Sequence, residues 1–236
     1  MIDTHCHILY GVDDASKTAT QSLDMLRLAQ TDGIKIICAT SHLKPGMYEN
    51  DSKSLSKACE QVDLLIKENQ LDIKIVKAAE NYLSYYTVNK LRNHQFIPYG
   101  NTNYMLIEFS WTKNIYDNPT SLINEVIKAG YLPVIAHPER YQWVHEDYHL
   151  IEEWKHMGCL LQVNRTSILG LDKNPSANAY AFRLMQDDVV DLIGSDAHRC
   201  FAPRFPKLSD AYRLIEAAYG KQRCIKLMAN SELLVK

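Results

Sequence analysis

Nine side chains of metal-ligand type stand at or just beyond the ends of short apolar runs: His5, His7, Asp14, His42, Glu80, Glu108, His137, Asp196 and His198. Imidazole suits Zn, Mn and Fe, and carboxylates suit harder ions such as Mn and Mg. The chain opens on a His-x-His pair, His5 and His7, and the set closes on Asp196-x-His198. Residues two apart on a strand share a face, so each pair projects both ligands to one side. A lone histidine is most simply a hydrogen-bonded structural residue. Five histidines and four carboxylates placed alike point instead to one site and to metal-assisted hydrolysis. Asp13 and Asp14 are adjacent, and residue type alone does not choose between them; either could cap the following helix. The other histidines, His94, His145, His149 and His156, are expected on solvated faces.

Charge bounds the number of ions. Four ionised carboxylates carry −4, so one divalent cation leaves a site that repels phosphate, whereas three make it attractive to a phosphate dianion. Nine ligands serve three ions only if some bridge or water completes the shells, as in hydrolases whose neighbouring ions lie ~3.5–4 Å apart.

Ligands delivered by successive strand ends need a fold that gathers strand ends. Apolar runs at Met1–Asp3, Ile34–Thr40, Ile73–Ala79, Tyr104–Phe109, Leu132–Ala136, Leu160–Val163 and Val189–Gly194 read as buried parallel strands. Amphipathic stretches lie between them: Leu55, Ala58, Cys59, Val62, Leu65 and Ile66 follow one helical face, Thr120–Ala129 stops at Gly130, and Ser209 is placed to cap a helix ending at Gly220. Strand–helix alternation implies an α/β fold with parallel strands. Seven strands fit either a distorted barrel or an open doubly wound sheet. Ligands from nearly every strand favour the barrel, with the site at its C-terminal mouth. Residues 166–175 are expected to form a loop near that mouth.

The chain has 236 residues, 46% of them hydrophobic and 23% charged, which suits one domain over residues 1–236. A net charge of −2 gives no case for nucleic acid or an anionic membrane. No apolar run approaches the ~20 residues of a membrane span, and with Met1 running into Ile-Asp-Thr-His no secretory leader is expected. Six scattered cysteines without a Cys-x-x-Cys suit a reduced, cytoplasmic protein. Cys159 and Arg165 match the Cys-x5-Arg spacing of cysteine-dependent tyrosine phosphatases. The residues between them read as a strand, whose N–H groups alternate rather than converge on an anion, so the match is read as accidental.

Several motifs together resemble a known family. Ile2-Asp3-Thr4-His5-Cys6-His7-Ile8-Leu9 with Gly11-Val12-Asp13-Asp14 looks like the polymerase-and-histidinol-phosphatase (PHP) superfamily. Thr40-Ser41-His42 with Lys44, Gly46, Met47 and Tyr48 is similar to its bacterial manganese-dependent protein-tyrosine phosphatases of capsule and exopolysaccharide loci, the CpsB/YwqE type. Leu106–Ser110, Val134–Tyr141, Gln162-Val163-Asn164 and Ser195-Asp196-Ala197-His198 continue the likeness in order. Ala15, where the group usually has Gly, is a departure that removes no ligand.

The resemblance implies a distorted seven-stranded (β/α)7 PHP-type barrel with three divalent ions, most simply Mn2+, with Fe or Zn as alternatives. It assigns His5, His7, Glu80 and Asp196 to one ion. Glu80 would bridge to a second held by Glu108 and His137, and Asp14, His42 and His198 would hold the third. It makes Arg140 and Arg204 phosphate binders, a role that suits the planar guanidinium fork. The implied activity is hydrolysis of phosphotyrosine, on a protein such as the tyrosine-rich C-terminal tail of a bacterial tyrosine autokinase. The same ligands would serve a histidinol-phosphate phosphatase or another small-molecule phosphoesterase. A non-catalytic binding protein would be expected to have lost part of the set.

Overall fold

The computed structural model describes residues 1–112 and 117–236. Nine parallel strands run through it: β1 (Ile2–Cys6), β2 (Ile36–Ala39), β3 (His42–Leu43), β4 (Lys74–Lys77), β5 (Glu80–Tyr82), β6 (Tyr104–Glu108), β7 (Leu132–Ala136), β8 (Leu160–Asn164) and β9 (Leu192–Gly194). They form two sheets, ordered β1-β2-β4 and β3-β5-β6-β7-β8-β9. The α/β class is as expected, but the strands number nine rather than seven and do not lie in one sheet. The expected strand Ile34–Thr40 ends at Ala39, with a second short strand after it at His42, and Ile73–Ala79 is likewise followed by a new strand at Glu80. Pairing keeps the same offset across both breaks, with Ala39 opposite Lys77 and His42 opposite Glu80. The outer edge of β4 is occupied by a loop, where Gly100 N–H donates to the Lys77 carbonyl, so on that side β6 pairs with β5 and not with β4. The sheet curls until β9 lies beside β1, where Asp196 N–H donates to the His5 carbonyl and His7 N–H to the Ala197 carbonyl.

Helices cover the outer face: α1 (Ala19–Thr31), α2 (Ser52–Glu68), α3 (Val88–Arg92), α4 (Pro119–Lys128), α5 (Gln142–Glu146), α6 (His149–His156), α7 (Arg165–Ile168), α8 (Pro175–Gln186), α9 (Ser209–Tyr219) and α10 (Lys221–Ser231). Their starts are chemically explicit. Asp51 and Ser54 form a reciprocal capping box on α2, and Asn118 caps α4 ahead of Pro119. Ser209 is not the cap of α9: it is already in the helix, and its N–H and hydroxyl both bond Asp32. The stretch 166–175 is not wholly loop, since α7 occupies its start. No helix among the described residues is long and apolar enough to cross a membrane.

Two apolar layers follow from the period-two alternation of the strands. Odd positions such as Ile37, Ile107, Ile135 and Ile193 pack outward against helix residues including Leu26, Val62, Ile123 and Trp154. Even positions such as Cys38, Val76, Leu106, Val134 and Leu192 pack inward, and Leu234 joins them. Continuing the even rows towards the strand ends reaches His42, Glu80, Glu108 and Asp196. Parity therefore aims His42, Glu80 and Glu108 at the mouth, while Asp196, beyond the end of β9, also depends on its own left-handed backbone.

Candidate metal centre

His5, His7 and His137 stand on odd positions and need a second device. In β1, Asp3 pairs with Ile37 but Cys6 with Ala39, so one extra residue is accommodated between them. Such a bulge changes which side a strand presents. Ile2 accordingly packs inward while Cys6 packs outward, and His5 and His7 are turned into the mouth. His137 follows the inward Ala136 and adopts left-handed backbone angles (φ 35, ψ 56), which swing its ring back to the centre. Asp196 is also left-handed (φ 49). Non-glycine residues held there cost roughly 1–3 kcal/mol each and cluster at functional sites.

All nine side chains converge, and seven of the nine are buried; Asp14 and His42 are partly exposed. Glu80 is the hub. Its Oε1 lies 2.7 Å from His137 Nε2, and its Oε2 lies 3.4, 3.3 and 3.0 Å from His5 Nε2, His7 Nε2 and His42 Nδ1. Asp196 Oδ1 lies 3.7 and 3.6 Å from the same His5 and His7 nitrogens, which are 3.2 Å apart. Asp14 Oδ1 faces His42 Nε2 at 3.6 Å and His198 Nε2 at 3.5 Å. Ligand atoms within 4.8 Å of one another fall into four groups: His5, His7 and Asp196; His5, Glu80 and His137; His42, Glu80 and Glu108; and His7, Asp14, His42 and His198. His5, His7, His42 and Glu80 each belong to two groups, so the cluster is shared rather than divided.

Four buried atoms in this cluster, Asp14 Oδ1, His42 Nδ1, Glu108 Oε2 and His137 Nδ1, lack a hydrogen-bond partner. Buried polar atoms are normally paired. Orphaned nitrogen and oxygen atoms converging on one mouth fit divalent cations of the Mn, Fe or Zn type.

The outer contacts orient the ligands. Asp13 Oδ2 lies 3.0 Å from His7 Nδ1, and Gln162 Oε1 lies 2.7 Å from His5 Nδ1. With these oxygens accepting the Nδ1 protons, each Nε2 lone pair faces the cluster. Asp13 is thus the orienting carboxylate and Asp14 the one within reach of His42 and His198. Asn164 Nδ2 and Arg140 Nη1 both donate to Asp196 Oδ2, at 2.8 and 2.9 Å. Arg140 Nε also donates to Asp172 Oδ2, and Arg204 Nη2 donates to Asp196 Oδ1 at 2.7 Å. Both arginines line the mouth. Residue types offered no signal for Asp172, which sits in the irregular stretch before α8, or for Trp111, whose Nε1–H donates to Glu108 Oε1.

Burial opposes the charged form of His7, yet Asp13 and Glu80 push its pKa up to about 10. Burial and the neighbouring His7 instead lower His198 to about 4. Asp196 is held well below the usual carboxylate range: burial opposes this, but Arg204 and His5 outweigh it.

Other expectations meet the structure here. His145 is not on a solvated face: it is half-buried, its Nε2 lies 2.7 Å from the Glu139 carbonyl, and its ring stacks on Tyr180. His94, His149 and His156 are exposed. Cys159 is buried, burial pushes its thiol up to about 12, and the Arg165 guanidinium is engaged by Asp210. A protonated thiol beside a strand has no nucleophile to offer.

A parallel α/β fold with clustered His and carboxylate side chains at its mouth defines the class of metal-dependent hydrolases. Within it, the chain belongs to the capsular polysaccharide synthesis family CpsB/CapC, whose family model matches residues 1–236. It is 32% identical over 241 residues to the tyrosine-protein phosphatase CpsB of Streptococcus agalactiae, covering 100% of this chain and 98% of that one. It is 29% identical to the tyrosine-protein phosphatase YwqE of Bacillus subtilis, covering 100% and 92%. Among solved structures it matches one from work on YwqE of B. subtilis and CpsB of Streptococcus pneumoniae, described as metal-dependent tyrosine phosphatases. The TM-score is 0.91 at 28% identity, covering 100% and 94%. In fold alone it is similar to the histidinol phosphate phosphatase of Lactococcus lactis, with a TM-score of 0.57 at 14% identity, covering 93% of this chain and 94% of that one.

Proposed function

We propose that the protein is a metal-dependent protein-tyrosine phosphatase acting in capsular polysaccharide synthesis, with residues 1–236 as one catalytic domain. The observation that carries this reading is the shared cluster around Glu80, with Arg140 and Arg204 against Asp196, in a chain of the CpsB/CapC family. In this reading the strand breaks at β2/β3 and β4/β5 are interruptions within single strands, and β1 and β9 close a distorted seven-stranded barrel. His5, His7, Glu80 and Asp196 hold one divalent cation. Glu80, Glu108 and His137 hold a second, and Asp14, His42 and His198 a third, with Mn2+ the expected ion. Bound cations of this type polarise a phosphoryl oxygen and lower the pKa of water toward ~7.

The chain's own contributions are positional and electrostatic. Arg140 and Arg204 bind the non-bridging phosphoryl oxygens; Asp172 and Asp196 fix their guanidinium planes before substrate arrives, so little reorganisation is needed. Asp13 and Gln162 hold the His7 and His5 rings in one tautomer. The phenol that departs has a pKa of ~10, far below an alcohol's, so proton donation to it is a light demand.

The substrate is a phosphotyrosine protein, with the tyrosine-rich tail of a bacterial tyrosine autokinase as the expected partner. Six free cysteines support a reducing, cytoplasmic location. The deciding experiment is hydrolysis of a phosphotyrosine peptide beside histidinol phosphate, with added Mn2+ and with EDTA. Mn2+-dependent preference for the peptide is expected. Preference for histidinol phosphate would move the protein into small-molecule metabolism, and activity surviving EDTA would remove the metal centre from the reaction.

A further inference from the structure

Beside the metal cluster lies a second cavity of about 520 Å³, within the range of small-molecule sites. Trp111, Arg140, His198 and Arg204 line both this cavity and the metal pocket, so the arginines stand on their common boundary. Leu171, Phe201, Ala202 and Pro203 give the second cavity an apolar wall. Phe201 is 64% exposed, Trp111 52% and Leu171 47%. Gathered around one cavity, these side chains differ from the singly scattered apolar residues that a surface ordinarily carries. Trp111 is braced at both ends, by its hydrogen bond to Glu108 and by the Arg140 guanidinium 4.9 Å from its ring centre.

The geometry points to this cavity as the subsite for the leaving group, taking the tyrosyl ring and adjoining peptide of a phosphotyrosine substrate, with Phe201 and Leu171 as specificity-determining residues. The inference rests on the proposed phosphatase activity and deepens it. With the phosphoryl group held by Arg140 and Arg204, the organic part of the ester has to leave the metal pocket, and the cavity opens on that boundary. A phosphoseryl side chain has one methylene between ester oxygen and backbone, so its peptide stops at the rim. A phosphotyrosyl side chain interposes a ring, which reaches the apolar wall while the backbone stays outside. Lys173 and Arg199 also line the cavity, and its one carboxylate, Asp172, is already paired with Arg140, so the surroundings favour an anionic substrate.

The test compares kcat/KM for two peptides of one sequence, carrying phosphotyrosine or phosphoserine, using the full chain loaded with Mn2+. In Phe201→Ala and Leu171→Ala the ratio favouring phosphotyrosine should fall about tenfold, the scale of one partly buried apolar contact. Phe201→Leu should recover much of the ratio. Inhibition by inorganic phosphate, which reports the arginines and metals, should keep its constant. Unchanged ratios in an active enzyme would overturn the subsite and leave the phosphatase reading intact. A wild-type enzyme that hydrolyses neither peptide would overturn both, and loss of phosphate inhibition in the variants would mean that the wall serves the metal centre rather than the ring.

Discussion

Asp13 and Asp14 show how much adjacent residues of one type can differ in task. Asp13 is buried and spends its oxygens on His7 Nδ1, on the Ala15 N–H and on the His42 N–H. Asp14 keeps a half-exposed carboxylate facing two imidazoles. Outer partners of metal-binding histidines typically account for 10–100-fold in metal affinity or activity. Asp13→Asn should therefore weaken Mn2+ affinity by about that factor while the fold is kept; Asp14→Ala should act by removing one of the proposed ligands outright. Metal content after dialysis, measured beside circular dichroism, separates the two. An Asp13→Asn protein that retains wild-type metal would remove the orienting role.

At the scale of elements, the strands were readable from the amino-acid pattern as short apolar runs, because burial on both faces is written in adjacent residues. Glu80 and Glu108 stand where that pattern puts them. The β1 bulge and the left-handed turn at His137 leave no such trace, since both depend on what neighbouring strands demand. The strand breaks after Ala39 and Lys77 and the Asp32 anchor of α9 were likewise set by tertiary contacts. Gly194 belongs to this scale. A Cβ there would stand 2.5 Å from His5 Cβ and 2.8 Å from Gln162 Nε2. Side chains at such distances must shift, and overpacking of this kind costs about 1–3 kcal/mol. Gly194→Ala should lower the stability of the metal-free protein by that amount in denaturant titrations. A midpoint unchanged from wild type would show that β1 yields more easily than its packing implies.

For the molecule as a whole, the cluster makes stability a function of pH and cation together. The folded His7 pKa of about 10 lies above its unfolded value of 6.5. Its contribution is fully present below about pH 6.5 and is lost as pH rises through about 10. His198, lowered to about 4, acts oppositely, costing stability as pH falls from 6.5 towards 4. In the proposed metal centre a cation would take the place of the His7 proton, so Mn2+ binding should release protons and the melting-temperature gain from Mn2+ should grow between about pH 6 and about pH 9. Thermal melts with Mn2+ and with EDTA across that range check this; a gain that shrinks with pH would exclude proton–metal exchange.

The meeting of β1 with β9 also sets a timetable. His5 and His7 are made well before their companions Asp196 and His198, with most of the described residues lying between the two pairs. While the chain is still being made, an early His-x-His pair has no closed cage to offer a passing ion. In the proposed metal centre, choice among competing ions would therefore belong to the finished molecule, where ligand spacing can discriminate, and not to the growing chain, where bare affinity would decide.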